Sequence, residues 1–360
     1  MKRVFCILLA VSLLLSVAAF AETPAEGLSE GDFSASPGDA AEDEEGFMPS
    51  GGDGSAAPDG MNSLTDENFS VDDMPDKYIE ACDQPGRVEK VRYKVYTDEG
   101  TQVRTATVYL PVGYDDNEDR YNVLYLFHAS SGTPLNYLNP DKETAFKNLL
   151  DNMIADGLLE PLIVVAATYY PTEGFTKYMP LPMQVEQLID FPTELVEVII
   201  PAVEENYRTY AESLDIEGIT ASRDHRGIAG FSLGGVVTWN VFQQQMKAFR
   251  WFLPISEASW SDAEGGTSGI WDSDVSAQVL YDAVIEQGYA KDDFRLFVAT
   301  GTEDEAFDIS TSQMVSLLEY DDMFKPGENT ACSMMAGGTH TISAVYTYLY
   351  HIMPSLFSDR

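Results

Sequence analysis

Two nearly continuous apolar runs constrain the fold of this chain most strongly. YNVLYLFHA covers residues 121–129 and PLIVVAATYY covers residues 161–170. Such runs are typical of strands that are buried on both faces, as in a parallel sheet covered by helices. The segment between them, ETAFKNLLDNMIADG, has helical spacing and stops at a glycine. The two runs therefore predict parallel strands joined by a helical crossover.

The same alternation continues to the end of the chain. A helix is predicted over 192–207, and strand and helix patterns follow in turn at RGIAGFS, LGGVVTWNVFQQQ, RWFLPIS, DVSAQVLYDAVIEQG, RLFVATG and CSMMAGG, with a last helix late in THTISAVYTYLYHIMPSLF. Upstream, RVEKVRYKVYT and TQVRTATVYLPVGY alternate apolar with polar residues and predict an antiparallel pair. We expect an α/β fold with a mostly parallel central sheet, helices on both faces and antiparallel N-terminal strands.

Residues 1–21 have the composition of an export signal. MKRVFCILLAVSLLLSVAAFA begins with two basic residues, continues in an apolar run and ends in the small-residue pattern Ala19-Phe20-Ala21. The apolar run is short for a membrane span. We therefore expect cleavage after Ala21 and a secreted, extracellular protein with no membrane span once the signal is removed.

Residues 22–76 carry sixteen Asp and Glu, no Lys or Arg, and no apolar period. This composition predicts a disordered acidic linker, which could act as a spacer or as solubilising filler, ahead of one catalytic domain over 77–360. The whole chain has a net charge of -38. Such a field repels phosphate backbones and therefore disfavours a nucleic-acid partner, and the sequence does not identify protein partners.

Two cysteines remain after the predicted signal, Cys82 and Cys332. A single long-range disulfide and two separate thiols both fit this count. Neither cysteine has His or Asp at metal-ligand spacing, so the sequence predicts no zinc site.

The stretch GFSLGG, residues 230–235, matches the G-x-S-x-G pattern of the nucleophile elbow in α/β-hydrolases. A serine on a strained strand-to-helix turn crowds its neighbours two positions away, so both must lack side chains. Gly230 and Gly234 meet this demand, and a predicted strand and helix flank the motif. The alternative is a glycine-rich packing turn. We predict that Ser232 is a nucleophile.

A nucleophilic serine needs a histidine base and an acid that orients it, and in this fold both follow the serine in the chain. His340 in GGTHT follows the last predicted strand and is the predicted base. The strand RLFVAT runs into GTEDEAFD, from which we choose Asp304 as the acid, with Glu303 second. The remaining histidines, which precede the serine or lie in the last helix, are predicted to be structural: His128, His225 and His351.

Two further sets of residues are predicted at this edge of the sheet. The oxyanion donors are expected to be the backbone N–H of Leu233 and that of Ala129 or Ser130 in the loop HASSG. Aromatic residues that follow strand ends could line the binding site for a feruloyl ring or a sugar, although core packing explains them equally well. These residues are Tyr169, Tyr170 and Trp260.

With these motifs in place, residues 86–358 resemble carbohydrate esterase family one, the feruloyl and acetylxylan esterases of the wider esterase D type. The resemblance rests on VYLPVGYDDNEDRYNVLYLFHA, RDHRGIAGFSLGGVVTWNVF, FRWFLPISEASW, ATGTEDEAF and GGTHTISAVYTYLYHIMPSLF. It implies the same nucleophile, acid and base. One departure is the loop HASSG, because family members commonly carry a glycine directly after that histidine.

The resemblance implies a secreted serine esterase that hydrolyses feruloyl or acetyl esters of plant cell-wall polysaccharide through an acyl-enzyme. It requires no metal or organic cofactor. Two alternatives stay open: acyl transfer to a carbohydrate acceptor, and a non-catalytic carbohydrate-binding protein on a hydrolase fold. The altered HASSG loop is the reason for the second alternative.

Overall fold

The computed structural model describes residues 70–97, 100–170, 181–262 and 264–358. The predicted export signal and the predicted linker up to residue 69 lie outside the described residues. Nine strands in the described ranges form one sheet: β1 (Ser70–Val71), β2 (Arg87–Thr97), β3 (Gly100–Leu110), β4 (Val123–Phe127), β5 (Ile163–Ala167), β6 (Arg226–Phe231), β7 (Trp251–Ile255), β8 (Arg295–Glu303) and β9 (Thr330–Thr339).

The strands lie in the order β1-β9-β8-β7-β6-β4-β5-β3-β2. The pairs β2–β3 and β3–β5 are antiparallel, and the remaining pairs are parallel. The predicted mostly parallel sheet with antiparallel N-terminal strands is therefore confirmed. Because β4 to β9 run in one direction, their carboxyl ends lie along one edge of the sheet, which we call the site edge.

Helices cover the connections between the strands. The α-helices of the described ranges are α1 (Ala145–Ala155), α2 (Leu181–Glu194), α3 (Ile200–Glu204), α4 (Ile216–Ala221), α5 (Leu233–Gln244), α6 (Ser273–Glu286), α7 (Phe307–Leu318) and α8 (Ile342–Ile352). Within these ranges, no helix combines the length and the apolar character that a membrane crossing requires.

The helix predicted over 192–207 differs from the observed one. Pro192 lies inside α2, and a π-helical segment, Leu195–Ile199, joins α2 to α3. Proline favours the first turn of a helix, whereas Pro192 lies in the interior of this one. In the structure the apolar residues on both sides of Pro192 pack on the core, among them Phe191 and Leu195.

The described fold begins before residue 77, the predicted domain boundary. Ser70 and Val71, which fall within the predicted linker, form β1 and pair in parallel with Met334 and Met335 of β9. A strand of two residues is too short to show any hydrophobic period, so composition alone assigned it to the linker.

The sheet buries apolar residues on both of its faces. In β4, Val123, Tyr125 and Phe127 pack into one core, and Leu124 and Leu126 pack into the other. This alternation explains why the sequence of β4 is apolar throughout. Residues from both cores lead directly into the site edge, so the positions of the loops there are fixed by packing.

A buried ion pair holds the start of β6, the strand that ends at Ser232. The Arg226 guanidinium donates to both carboxylate oxygens of Glu204, at 2.7 and 3.0 Å, and to the carbonyl oxygens of Ile219 and Ala248. Both side chains of the pair are almost fully buried. A buried pair of this kind is costly to break, because the remaining charge would have no partner. It fixes β6 at the end opposite to the site edge.

The two cysteines of the described chain are free thiols and do not form the disulfide that the sequence left open. Cys332 is buried in β9, and burial raises the pKa of its thiol to about 12. Cys82 lies in the segment that precedes β2 and is partly exposed.

Candidate active site

Ser232 lies at the site edge, between the end of β6 and the first turn of α5. Its backbone has φ 55° and ψ -123°, a conformation that side-chain-bearing residues rarely adopt. Its N–H donates to the carbonyl oxygen of Ile255 in the neighbouring strand β7, at 3.0 Å. The neighbouring structure therefore holds a strained serine at a strand-to-helix turn, as the sequence motif predicts.

The two glycines that flank Ser232 make this turn sterically feasible. A Cβ atom on Gly230 would overlap the carbonyl group of Gly234, and one on Gly234 would overlap the carbonyl oxygen of Phe127 at the end of β4. The first turn of α5 is thus in direct contact with the ends of both β6 and β4. Glycine is required at these two positions because a side chain would clash with neighbouring backbone, and not because of a positive φ, which neither residue has.

We expect Gly230→Ala to lower the free energy of unfolding, by an amount at the upper end of the roughly 1–3 kcal/mol typical of overpacking. The added methyl group would meet backbone, which cannot rotate away. Gly227→Ala in the same strand is the matched control, because its Cβ would meet side-chain atoms at 3.3–3.4 Å. Urea denaturation of both variants measures the difference. Equal stabilities would contradict the steric account.

The structure brings the predicted acid and base together. The Nδ1 atom of His340 lies 2.8 Å from Oδ1 of Asp304, and the Asp304 side chain is fully buried. The same oxygen accepts the backbone N–H of Ala306 at 2.8 Å. Since an ionised carboxylate only accepts, the Nδ1–H of the imidazole is the donor, and Nε2 is the ring nitrogen left to accept a proton.

An irregularity in β9 places these two residues side by side. Gly301 of β8 is in register with Met335, whereas Glu303 is in register with Thr339, so β9 contains extra residues between these pairs. Gly337 within this bulge has φ 71°. Because β8 and β9 are parallel and back in register at Glu303 and Thr339, the residues that follow, Asp304 and His340, emerge next to each other.

His340 also lies close to the nucleophile strand. Its ring centroid is 4.6 Å from that of Phe231, the residue directly before Ser232. Burial lowers the pKa of the imidazole, but the hydrogen bond and the charge of Asp304 outweigh burial, so the pKa is raised above its ordinary value. The charges of Glu305 and Glu257 also raise the pKa of His340. The surroundings thus stabilise the imidazolium that a general base forms.

The predicted oxyanion donors lie around the same turn. As the first residue of α5, Leu233 has a backbone N–H without an acceptor inside the helix. Phe127 is in register with Gly230, so the loop that contains Ala129 and Ser130 leaves β4 beside the turn. The role of these N–H groups remains a prediction.

The predicted aromatic residues differ in their exposure. Tyr169 and Tyr170 are buried, and their hydroxyls donate to the carbonyl oxygens of His128 and Ser130. Both tyrosines therefore hold the loop after β4 in place. Trp260 is only half-buried, and its indole N–H donates to Glu257 at 3.3 Å. Contact of all three residues with substrate remains a prediction.

The other histidines have partners elsewhere. His128 is buried between Thr168 and the Ala129 carbonyl oxygen, and burial lowers its pKa to about 4. The ring of His225 stacks on Tyr210 at 3.6 Å, at the start of β6 and so at the opposite edge of the sheet. His351 in α8 bonds the Asp72 carbonyl oxygen at 2.7 Å.

Glu257 is the residue at this site that the sequence analysis missed. It follows β7 at the site edge, is 2% exposed, and accepts the Ala258 N–H at 3.0 Å. Burial raises its pKa to about 7, while the nearby His340 and Asp304 act on it in opposite directions. The signal available in the sequence was an acidic residue that comes directly after a strand predicted to be buried. In the described part of the chain, no three His, Cys, Asp or Glu side chains are grouped so as to hold a metal ion.

Comparison with known proteins places this chain in a family. The family model Esterase, described as "Putative esterase", matches residues 99–324. The chain is 32% identical over 290 residues to endo-1,4-beta-xylanase Y of Acetivibrio thermocellus, covering 79% of this chain and 24% of that protein. It is 28% identical over 186 residues to an endo-1,4-beta-xylanase/feruloyl esterase of Xylanibacter ruminicola, covering 51% of this chain and 22% of that protein. The chain thus spans about a quarter of the length of these relatives.

Solved structures agree with this assignment. A serine-to-alanine mutant of the feruloyl esterase module from Clostridium thermocellum, complexed with sinapinate, matches with a TM-score of 0.68 and 31% identity, covering 81% of this chain and 94% of that chain. A ferulic acid esterase from Anaeromyces mucronatus, 20% identical with a TM-score of 0.60, covers 80% of this chain and 98% of that chain and shares the fold. The chain therefore belongs to the esterase family of α/β-hydrolases, and within it to the carbohydrate esterase family one type.

Proposed function

We propose that this protein is an exported serine esterase that removes feruloyl or acetyl groups from plant cell-wall polysaccharide. The observation that carries the proposal is the 2.8 Å pair of His340 and Asp304, whose imidazole ring lies 4.6 Å from the ring of Phe231, the residue before the strained Ser232. The likeness to a feruloyl esterase module and to xylanases supports the choice of substrate class. Export rests on the sequence of residues 1–21.

In the proposed first half-reaction, the Ser232 hydroxyl attacks the ester carbonyl carbon and Nε2 of His340 takes the hydroxyl proton. Asp304 holds the imidazole through Nδ1 and stabilises the positive charge. The N–H of Leu233 and that of Ala129 or Ser130 stabilise the developing oxyanion. The sugar hydroxyl then leaves with the proton from His340, and the acyl group remains on Ser232.

In the second half-reaction, water takes the place of the sugar hydroxyl. His340 accepts a proton from the water as it attacks the acyl carbon, and returns it to the Ser232 oxygen when the acid product leaves. Trp260, half-buried at the same edge, is the proposed wall for an aromatic acyl group.

The test is turnover of methyl ferulate, acetylated xylan and p-nitrophenyl acetate by the purified protein, together with labelling by a fluorophosphonate probe. We expect labelling at Ser232 and release of ferulate or acetate. A protein that neither reacts with the probe nor cleaves any of these esters would be non-catalytic, and the proposal would fail. Products formed with an added sugar acceptor distinguish hydrolysis from acyl transfer.

We expect kcat/KM for methyl ferulate to rise with pH, with a midpoint above about 6.5, the ordinary pKa of histidine. A general base must be neutral to accept a proton, and Asp304, Glu305 and Glu257 keep His340 protonated to higher pH. The midpoint should fall in Asp304→Asn. Glu257→Gln is the control, because burial raises the pKa of Glu257 to about 7. If the midpoint shifted more in Glu257→Gln than in Asp304→Asn, the midpoint would be assigned to Glu257.

A further inference from the structure

The hairpin of β2 and β3 extends beyond the rest of the sheet. The two strands pair along their whole length, but β3 pairs with β5 only through residues 107–109. Because β3 is antiparallel to β5, its lower-numbered residues continue past the carboxyl end of β5. Residues 91–97 and 100–106, which we call the arm, therefore project at the site edge, over about 20 Å at roughly 3.3 Å per residue.

The two faces of the arm are chemically different. Val91, Tyr93 and Val95 point to one face and pack into the core. Arg92, Lys94 and Tyr96 point to the other face and are exposed. Their cross-strand partners on this open face are Thr105, Val103 and Thr101. Within the described part of the arm, the open face thus carries two cations and no acidic side chain.

These cations lie in a chain with 59 acidic and 21 basic residues. Among the described residues, no carboxylate lies within 4.0 Å of the charged group of Arg92 or Lys94. Lys90, next on the same face, bonds Asp141 at 2.8 Å and so connects the arm to the loop after β4. The turn residues Asp98 and Glu99 lie outside the described ranges. Over its described residues, the open face is therefore positively charged.

Edge protection explains only part of this surface. Charged residues on an edge strand such as β2 hinder pairing with other chains, and this accounts for Arg92 and Lys94. It does not account for Tyr96 and Val103, which are 77% and 64% exposed on the same face. An exposed ring beside unpaired cations can pack on a sugar ring while the cations bind carboxylates.

The arm is also well placed relative to Ser232. β2 is four strand spacings from β6, or about 19 Å across the sheet. A polysaccharide of several sugar units could contact both at once. We propose, on the basis of the esterase function above, that the open face of the arm binds xylan carrying uronic acid side groups and holds it across the site edge.

The repulsion between the net charge of the chain and a polymer is weaker for xylan than for nucleic acid, because xylan carries far fewer charges than a phosphate backbone. At physiological salt the screening length is about 8 Å, so charges farther away than this have little effect at the arm. The carboxylates nearest to a bound sugar chain would interact with Arg92 and Lys94. Such contacts weaken as salt is added, which gives the interaction a signature that hydrophobic binding lacks.

The experiment measures binding of the full chain to two polymers by affinity gel electrophoresis: a xylan with uronic acid side groups and a neutral xylan. We expect tighter binding to the acidic polymer, weakened by salt. Arg92→Gln/Lys94→Gln should weaken it about 3- to 10-fold, as expected for two exposed ion pairs, and Tyr96→Ser should weaken binding to both polymers. Arg120→Gln/Lys247→Gln removes the same charge at the opposite edge of the sheet and should have no effect.

Equal binding of the two polymers by the parent protein would overturn the proposal. So would a monomeric, folded Arg92→Gln/Lys94→Gln variant that binds the acidic polymer as tightly as the parent. Binding requires no ester cleavage, so the two proposals can fail separately. A protein inactive on methyl ferulate, acetylated xylan and p-nitrophenyl acetate that still shows the expected binding pattern supports the arm and removes the esterase function. An active protein that shows no preference for the acidic polymer supports the esterase function and removes the proposal for the arm.

Discussion

Ser232→Ala is expected to reduce kcat/KM for methyl ferulate by about 10⁴-fold or more, because it removes the only atom that can carry the acyl group in the proposed mechanism. The fold should be retained. Alanine is smaller than serine and adds no contact, and the strained backbone at this position is held by the Ile255 carbonyl oxygen and by the glycines on both sides. The variant should also lose labelling by a fluorophosphonate.

Ser355→Ala is the matched control for this experiment. Ser355 is exposed and lies beside Trp251 and Arg295, the first residues of β7 and β8, at the edge opposite to Ser232. Steady-state kinetics and thermal melting of both variants separate a catalytic effect from a loss of folded protein. Substantial activity in a folded Ser232→Ala protein would rule out the proposed nucleophile.

The second large effect is expected for Asp304→Asn, which should reduce kcat by about 10²- to 10⁴-fold. The carboxylate accepts the Nδ1–H of His340 and keeps Nε2 available as a base. An asparagine can instead donate its amide N–H to Nδ1, and this stabilises the tautomer that carries its proton on Nε2. Such an imidazole cannot take the proton of Ser232. The change is nearly isosteric, so the packing around this fully buried side chain should persist.

Glu303→Gln is the control for Asp304→Asn. Glu303 is the neighbouring acid and was the second choice from the sequence, but its side chain is exposed, whereas Asp304 bonds His340. We expect Glu303→Gln to retain most of the activity. If the two variants had equal kcat, or if Glu303→Gln were the weaker enzyme, the assignment of the acid would be reversed.

The sequence predicted the central fold well because its strands are local patterns. Residues 121–129 and 161–170 contain β4 and β5, and their apolar character follows from burial on two faces. The turn at Ser232 is also encoded locally, since it requires glycine two positions before and two positions after the serine. The pairing of Asp304 with His340 was predicted from chain order, and the contact at 2.8 Å agrees with it.

Other features depend on contacts that no local pattern encodes. The two residues of β1 are a strand only because β9 lies beside them. The role of Tyr169 depends on where the His128 carbonyl oxygen points, and the burial of Glu257 depends on the packing around the end of β7. The helix predicted from residue 192 begins earlier, at Leu181, and continues through Pro192.

The extra residues of β9 have a consequence for how this site can be lost. Side chains along a strand alternate between the two faces, so shortening the bulge around Gly337 by one residue would turn position 340 toward the other side of the sheet. The glycine elbow would be unaffected, because it is built from β6 and the first turn of α5. A change of one residue in the length of the chain would therefore separate the imidazole from its carboxylate, and a descendant could lose this pair while it keeps the glycine elbow.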